Sequence, residues 1–340
     1  MEKLNPENVA HTNQRLLVVE LQKRWVDVYN VDSSIELIKA VFRWREEYIL
    51  DRFSSSTPHS QVEITADKYL SKKLMQASGI AATKGEAFSW VDINKAIAYI
   101  LTELTFPVVL KPNWWSHGDE IVMNIDSIPK FEEAVRDYAR KFWERWSFLV
   151  EEQFSWDEYR IFIAANWDHA VLHRDPAYVI WDWVRNVTEL AETENTKRLA
   201  NYKKASLCPI IIDPNIIPDS TIIPHKWQKL YVRSNSNLAK WGYSVDMTDI
   251  VHPSVIQIAK KVLSSFPWLP YAWIDMLSKD PLIEQSEENY RILEVNSNPW
   301  LSMHAFPWAG KPRNVAGIIA DIIFPESVEG YWYISTAIDK

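Results

Sequence analysis

Apolar positions along this chain recur at every second residue in some stretches and at every third or fourth in others, so short strands and amphipathic helices are both expected. Residues 1–60 read as a helix (LLVVELQKR), a strand (VDVYNV) and a second helical stretch that stops at the Ser/Thr/Pro cluster SSSTPHS. In ITADKYLSKKLMQASGI, Leu70, Leu74 and Ala77 recur at helical spacing, Thr65 is a candidate cap, Asp67 suits the positive helix end and Gly79 suits the stop. FPVVLKP (106–112) is a short apolar run bracketed by prolines, and so a strand. A helix over 129–147 leads to the strands FLVEEQF and YRIFIAA, and DHAVLHR pairs with the latter across Asn166-Trp167. A loop-rich stretch from 207 to 250 precedes a helix over 252–266, two strands at 271–277 and 290–296 expected to be antiparallel neighbours, and a last helix over 314–323. Strands and helices mix without strict βαβ alternation, which predicts α+β lobes.

At 340 residues the chain is long enough for two to three lobes with cores of their own. A formal charge of −8 offers no basic stripe for a phosphate backbone, so no nucleic-acid partner is expected. The single cysteine, Cys208, leaves no intrachain disulfide and no zinc-type cluster. The first residues lack a basic segment leading into an apolar run, and no stretch of apolar residues is long enough to span a bilayer, so the expectation is a cytoplasmic protein without a membrane partner. One count is unusual: the chain has 7 glycines and 18 tryptophans. Together they make about 7% of the chain, the usual share of glycine alone.

Candidate chemistry starts with Asp275 on one expected strand and Glu294 and Asn296 on the next. Residues two apart on a strand share a face, so Glu294 and Asn296 can meet one cation that Asp275 reaches from the neighbouring strand. Three oxygen donors of this kind suit Mg²⁺, with Mn²⁺ as an alternative. Lys111 ends a buried-looking strand, where an ammonium wants an anion, and Lys68 lies in the first helical turn, where N–H groups also favour phosphate. The turn NWWSHGDE after Lys111 contains Ser116, His117 and a single glycine, Gly118, which is poor for a loop meant to cradle phosphate. The edge VEEQF, with Glu151, Glu152 and Phe154, can hold an adenine, and Glu158 a few residues on can accept ribose hydroxyls. His169 and His173 share a strand face near Asp175, but four residues along a strand is about 13 Å, too far for one metal. No Ser-His-Asp or Cys-His arrangement is evident.

The order of these pieces resembles the ATP-grasp superfamily, most closely the glutathione-synthetase portion of bifunctional glutamate–cysteine ligase/glutathione synthetase, and next the ATP-grasp part of cyanophycin synthetase. The resemblance runs from about residue 20 to 326 through ITADKYLSKKLMQASGI, FPVVLKP, FLVEEQF with DEYRIFI, LHRDPAYVIWDWVRNVTEL, YAWIDM and RILEVNSNPWLSMHAFPWAGKPRNV. It implies an ATP-grasp fold of two α+β lobes gripping ATP (about 61–150 and 151–326), behind the extension at 1–60 and ahead of a tail at 327–340. It also implies an ATP- and Mg²⁺-dependent carbon–nitrogen ligase that joins a carboxylate to an amine through an acyl-phosphate. Lys68 and Lys111 would hold the ATP phosphates, with Ser116, His117 and Gly118 in the phosphate turn. Glu151, Glu152 and Phe154 would line the adenine, Glu158 would take the ribose, and Asp275, Glu294 and Asn296 would hold Mg²⁺. Arg174 would sit near the transferred phosphate or the carboxylate substrate. The partners implied are small carboxylate and amine substrates, amino acids or short peptides, and a homo-oligomer is compatible with them. Two rival readings stand beside this one: a cyanophycin-synthetase-like ligase, and a non-catalytic ATP-binding protein.

The chain departs from the family in a consistent way, with tryptophan where relatives have glycine. Trp181 and Trp183 flank Asp182 in place of Gly-Asp-Gly, Trp241 precedes Gly242, Trp273 precedes Ile274-Asp275, and Trp114 and Trp115 sit in the phosphate turn. Asn166-Trp167 stands where a tight hairpin wants Asn-Gly. With the composition, this suggests a gene in which UGA encodes glycine and a sequence written as if UGA meant tryptophan. Real tryptophans at these places would fill the phosphate turn and the metal face. The expectation is then that many of the eighteen tryptophans fall at turns, at positive φ or beside a ligand cleft, with few rings buried in a core.

Overall fold

The computed structural model describes residues 2–114, 121–141, 147–200, 209–214, 216–223, 229–232 and 242–328. Cys208, Trp115, Ser116, His117, Gly118, Trp241 and most of the expected tail lie outside them. In chain order the elements are α1 (Thr12–Lys23), β1 (Asp27–Asp32), β2 (Leu37–Phe42), β3 (Arg45–Leu50), α2 (His59–Ala66), α3 (Lys68–Ala77), β4 (Gly85–Ser89), α4 (Ile93–Glu103), β5 (Val108–Pro112), β6 (Val122–Ile125), α5 (Ile128–Lys141) and β7 (Ser147–Glu152). They continue with β8 (Asp157–Ala164), β9 (His169–Asp175), β10 (Tyr178–Ile180), α6 (Val187–Ala200), β11 (Lys229–Tyr231), β12 (Tyr243–Asp246), α7 (Pro253–Ser264), β13 (Tyr271–Ser278), β14 (Tyr290–Asn296), α8 (Leu301–Ala305) and α9 (Val315–Ile323). The chain divides into two compact units, one of residues 1–57, 158–251 and 298–340, the other of residues 58–157 and 252–297.

In the first unit, α1 buries Leu17, Val18 and Leu21 and packs against α8 and α9, with Arg24 donating to Asp321 Oδ1 at 2.5 Å. The second helical stretch expected before residue 60 is instead a hairpin, β2 paired with β3, and β1 completes an antiparallel sheet. Its period-2 burial of Ile38 and Ala40 decides for strand over the helix-forming Glu, Lys and Arg around it. Phe42 pairs with Arg45, so Arg43-Trp44 is a two-residue loop. Strands β8, β9 and β12 are antiparallel neighbours, and the β8–β9 hairpin turns at Asn166-Trp167 as expected.

His304 on α8 is fully buried beside the Phe162 ring. Burial, with the positive charge of Arg160 adding to it, pushes its imidazole down to about 3 from an ordinary value of 6.5. A group whose folded value is depressed binds its proton more readily when unfolded, so stability falls as pH drops below 6.5. The expected loss is about 2 kcal/mol between pH 6.5 and 5, at 1.36 kcal/mol per unit. Denaturant melts at the two pH values check it, and His304→Gln should flatten that part of the pH dependence.

In the second unit, the helix expected over ITADKYLSKKLMQASGI is two helices broken at Asp67. The carboxylate of Asp67 caps α3 by accepting from the Leu70 N–H at 2.8 Å. Thr65, expected to cap, lies inside α2 and donates to the Gln61 carbonyl. A four-stranded antiparallel sheet runs β4-β7-β5-β6. Its Val108, Leu110, Phe148 and Val150 face a core shared with Ile100, Phe131 and Val135. By the strand period, Lys111 and Glu151 therefore project from the opposite face. Strands β13 and β14 pair antiparallel, and α7 packs on β13.

Among the described residues, four tryptophans have left-handed backbone. Trp25, Trp167, Trp183 and Trp268 all have φ between 61° and 74°. At Trp25 the bonds Trp25 N–H to Gln22 O and Val26 N–H to Leu21 O form a Schellman motif, in which the left-handed residue is usually glycine. The same pair of bonds ends α3 at Gly79, φ 66°. Trp268 is position three of a turn closed by Leu269 N–H to Phe266 O, with Pro267 before it, the pattern of a type II turn that requires positive φ there. Its ring is 83% exposed and that of Trp25 65%. Trp181 departs from the expectation: it is buried, with its ring 4.1 Å from that of Trp183. Trp90 and Trp273 are also packed, Trp90 against Phe148.

Candidate active site

The face of the β4-β7-β5-β6 sheet opposite that core carries a buried charge cluster. Glu151 on β7 is 2% exposed, and so is Lys72, which reaches it from α3. Lys72 Nζ lies 2.6 Å from Glu151 Oε1, and Lys111 Nζ lies 2.8 Å from Oε2. Thr83 also faces the pair, its hydroxyl hydrogen-bonded with Lys72 Nζ and 3.4 Å from Glu151 Oε2. Burial alone would raise the Glu151 carboxyl, but the two ammonium groups outweigh it and hold the group below the usual range. Burial pushes the Lys72 ammonium down to about 8 despite the pull of Glu151, with the Lys111 charge adding to the fall. Gly85, across from Glu151 in the register, makes the room, since a Cβ there would stand 2.6 Å from Glu151 Cγ.

A second group of polar side chains stands on the β13–β14 pair. Asp275 is opposite Glu294, and directly opposed residues of an antiparallel pair share a face. Asn296 is on that face too, donating from its amide to Glu294 Oε1 at 2.9 Å. Lys68 Nζ approaches Glu294 Oε2 at 3.8 Å, and its ammonium is lowered first by burial and further by Lys111, with Glu294 opposing. Trp273, paired with Asn296, lies on this same face and is buried. Two carboxylates and an amide on one face form a donor set that fits a hard divalent cation.

Other expectations are altered. The first N–H groups of α3 are already used: Lys68 donates to the Asn113 carbonyl, Tyr69 to the Asn113 side chain and Leu70 to Asp67. These N–H groups already have acceptors, so they are not open to phosphate. Glu152 accepts from the Lys84 N–H at 2.7 Å, and Phe154 packs at a tilt against Trp156, ring centres 4.4 Å apart, beneath Arg291. In the other unit, Glu158 pairs with Arg174 across β8 and β9. His173 stacks on Tyr159, His169 contacts the Trp167 carbonyl, and Asp175 pairs with Lys229, so these three side chains are engaged separately. The residues missed in the sequence are Lys72, Thr83 and Gly85. Lys72 follows Lys68 by one helical turn, a signal available only once both are known to be buried.

No family model matches the chain. It is 30% identical over 327 residues to cyanophycin synthetase of Trichormus variabilis, an alignment that covers 92% of this chain and 35% of that protein. It is 28% identical over 335 residues to the glutathione biosynthesis bifunctional protein of Pasteurella multocida, covering 94% of this chain and 43% of the relative. The crystal structure of a bifunctional glutathione synthetase from Pasteurella multocida superposes with a TM-score of 0.68 at 25% identity, over 92% of this chain and 44% of that one. The chain thus spans less than half the length of these relatives.

Proposed function

We propose, from the ATP-grasp fold that this chain adopts, that it is a ligase that uses ATP and a divalent cation to join a carboxylate to an amine, in the manner of glutathione synthetase. The observation that carries the reading is the pairing in one unit of a lysine cluster, Lys68, Lys72 and Lys111, with the oxygen donors Asp275, Glu294 and Asn296. Transfer of a phosphoryl group from ATP to a carboxylate breaks the bond to ADP and leaves an acyl-phosphate, from which an amine displaces phosphate. Such a transfer needs positioning and charge neutralisation more than a protein nucleophile. Mg²⁺ held by Asp275, Glu294 and Asn296 would supply Lewis-acid neutralisation of phosphate charge. Lys111 and Lys68 would bind phosphate oxygens, and Arg174 would orient the transferred group or the acid. Phe154 offers a ring for adenine and Glu158 an acceptor for ribose.

The test mixes the chain with Mg²⁺-ATP, a γ-glutamyl dipeptide and glycine, and follows ADP release. ADP formed only when both carboxylate and amine are present supports the ligase. ADP formed instead with an amino-acid polymer and a free amino acid selects the cyanophycin-like reading, which the relatives also favour. Nucleotide binding without turnover selects the binder, as the Trp273 ring on the donor face would favour.

A further inference from the structure

Glu151 poses a problem for a phosphate site. A buried carboxylate 2.8 Å from Lys111 competes with any phosphate for that ammonium. As a lone ion pair the two would neutralise each other, and a nucleotide would have to break the pair to be bound. The structure shows a second cation on the other carboxylate oxygen, Lys72 at 2.6 Å and 2% exposed. Its position is built in. Lys72 projects from α3 into the sheet face, Thr83 bonds its ammonium, and the missing side chain of Gly85 leaves the space that Glu151 occupies.

We propose that Lys72 is a positioning residue that acts through Glu151: by satisfying that carboxylate it leaves the Lys111 charge in surplus for nucleotide phosphate. The proposal rests on the ligase reading given above. A carboxylate shared by two ammonium groups gives the cluster a net positive charge, whereas Glu151 and Lys111 alone give none. In a buried setting this difference is large, because water does little to screen it and a buried charge that loses a partner takes the remaining one. Facing Lys72 are Glu151 and Lys111 from the sheet, Thr83 from the segment before β4, and, through longer-range charge, Glu294 from β14.

The test is Mg²⁺-ATP binding by calorimetry with the full chain and the variants Lys72→Met, Glu151→Gln and the two combined. Lys72→Met is expected to weaken binding about tenfold or more, the range of a lost cation at a phosphate. In the presence of Glu151→Gln, loss of Lys72 is expected to cost less than about threefold, because no carboxylate is left to recapture Lys111. A purely structural lysine would give the same loss in both backgrounds, and that result overturns the proposal. If Lys72→Met does not fold, the double variant is compared with Glu151→Gln alone; binding about tenfold weaker in the double variant overturns the proposal just as well. A parent chain with no affinity for Mg²⁺-ATP refutes the ligase reading, whereas a binding parent matched by Lys72→Met refutes only this inference.

Discussion

With Trp25→Gly, Trp167→Gly, Trp183→Gly and Trp268→Gly introduced together, the chain is expected to gain several kcal/mol of stability and a higher melting temperature. All four positions have positive φ, where a side chain with a Cβ costs about 1 kcal/mol or more. Two of them sit in motifs whose geometry selects glycine, the helix stop at Trp25 and the Pro-led turn at Trp268. The four costs together are comparable with a good part of a whole domain's stability, about 5–15 kcal/mol. The rings of Trp25 and Trp268 lose little on removal, since both are largely exposed. Thermal melts of the chain as written and of the glycine variant, each with and without Mg²⁺-ATP, measure the effect. A tryptophan form that melts cooperatively at the same or a higher temperature refutes the glycine reading. So do UGG codons at these four positions. UGA codons there would extend the substitution to Trp273, and an open backbone beside Asp275 should then raise nucleotide affinity.

Turnover of the glycine-bearing chain should fall tenfold to a thousandfold, roughly, on Lys111→Ala, the range seen when a preorganised charge is removed from a developing one. Lys111, next to last in β5, is a buried cation with Glu151 as its partner, so its removal takes charge from the cluster while Lys72 still satisfies the carboxylate. His169→Ala serves as the control and should leave turnover nearly unchanged, because the His169 ring is engaged with the Trp167 carbonyl in the β8–β9 turn. Steady-state rates of ADP release decide it. Equal rates for Lys111→Ala and parent remove the role assigned to that lysine.

Much of the fold was legible because its strands are short and alternate cleanly. β13 and β14 read as antiparallel neighbours from their apolar runs, and that was enough to bring Asp275 opposite Glu294. The β2–β3 hairpin was not legible, because Arg43-Trp44 carries none of the Gly or Asn that mark a two-residue loop, and the flanking residues favour helix. If position 44 is glycine in the natural protein, the missing signal was removed by the same substitution. The break at Asp67 escaped notice because a capping aspartate also suits the first turn of a continuous helix. Lys72 was hidden for a different reason: a buried lysine and a surface lysine are the same letter, and only the register of β7 against β4 and β5 reveals which carboxylate waits for it.

The packing of α1 against α8 and α9 also sets an order in time. During synthesis the apolar face of α1, Leu17, Val18 and Leu21, emerges nearly the whole chain length before the helix that covers it. At about 5–20 residues per second, the interval is roughly 15–60 s. Residues 58–157 and 252–297 are all synthesised within it, whereas α1 waits for helices that are made after them. Release of truncated chains ending before Leu301, which lack both helices, should therefore leave that face uncovered, a ready target for chaperones and for aggregation.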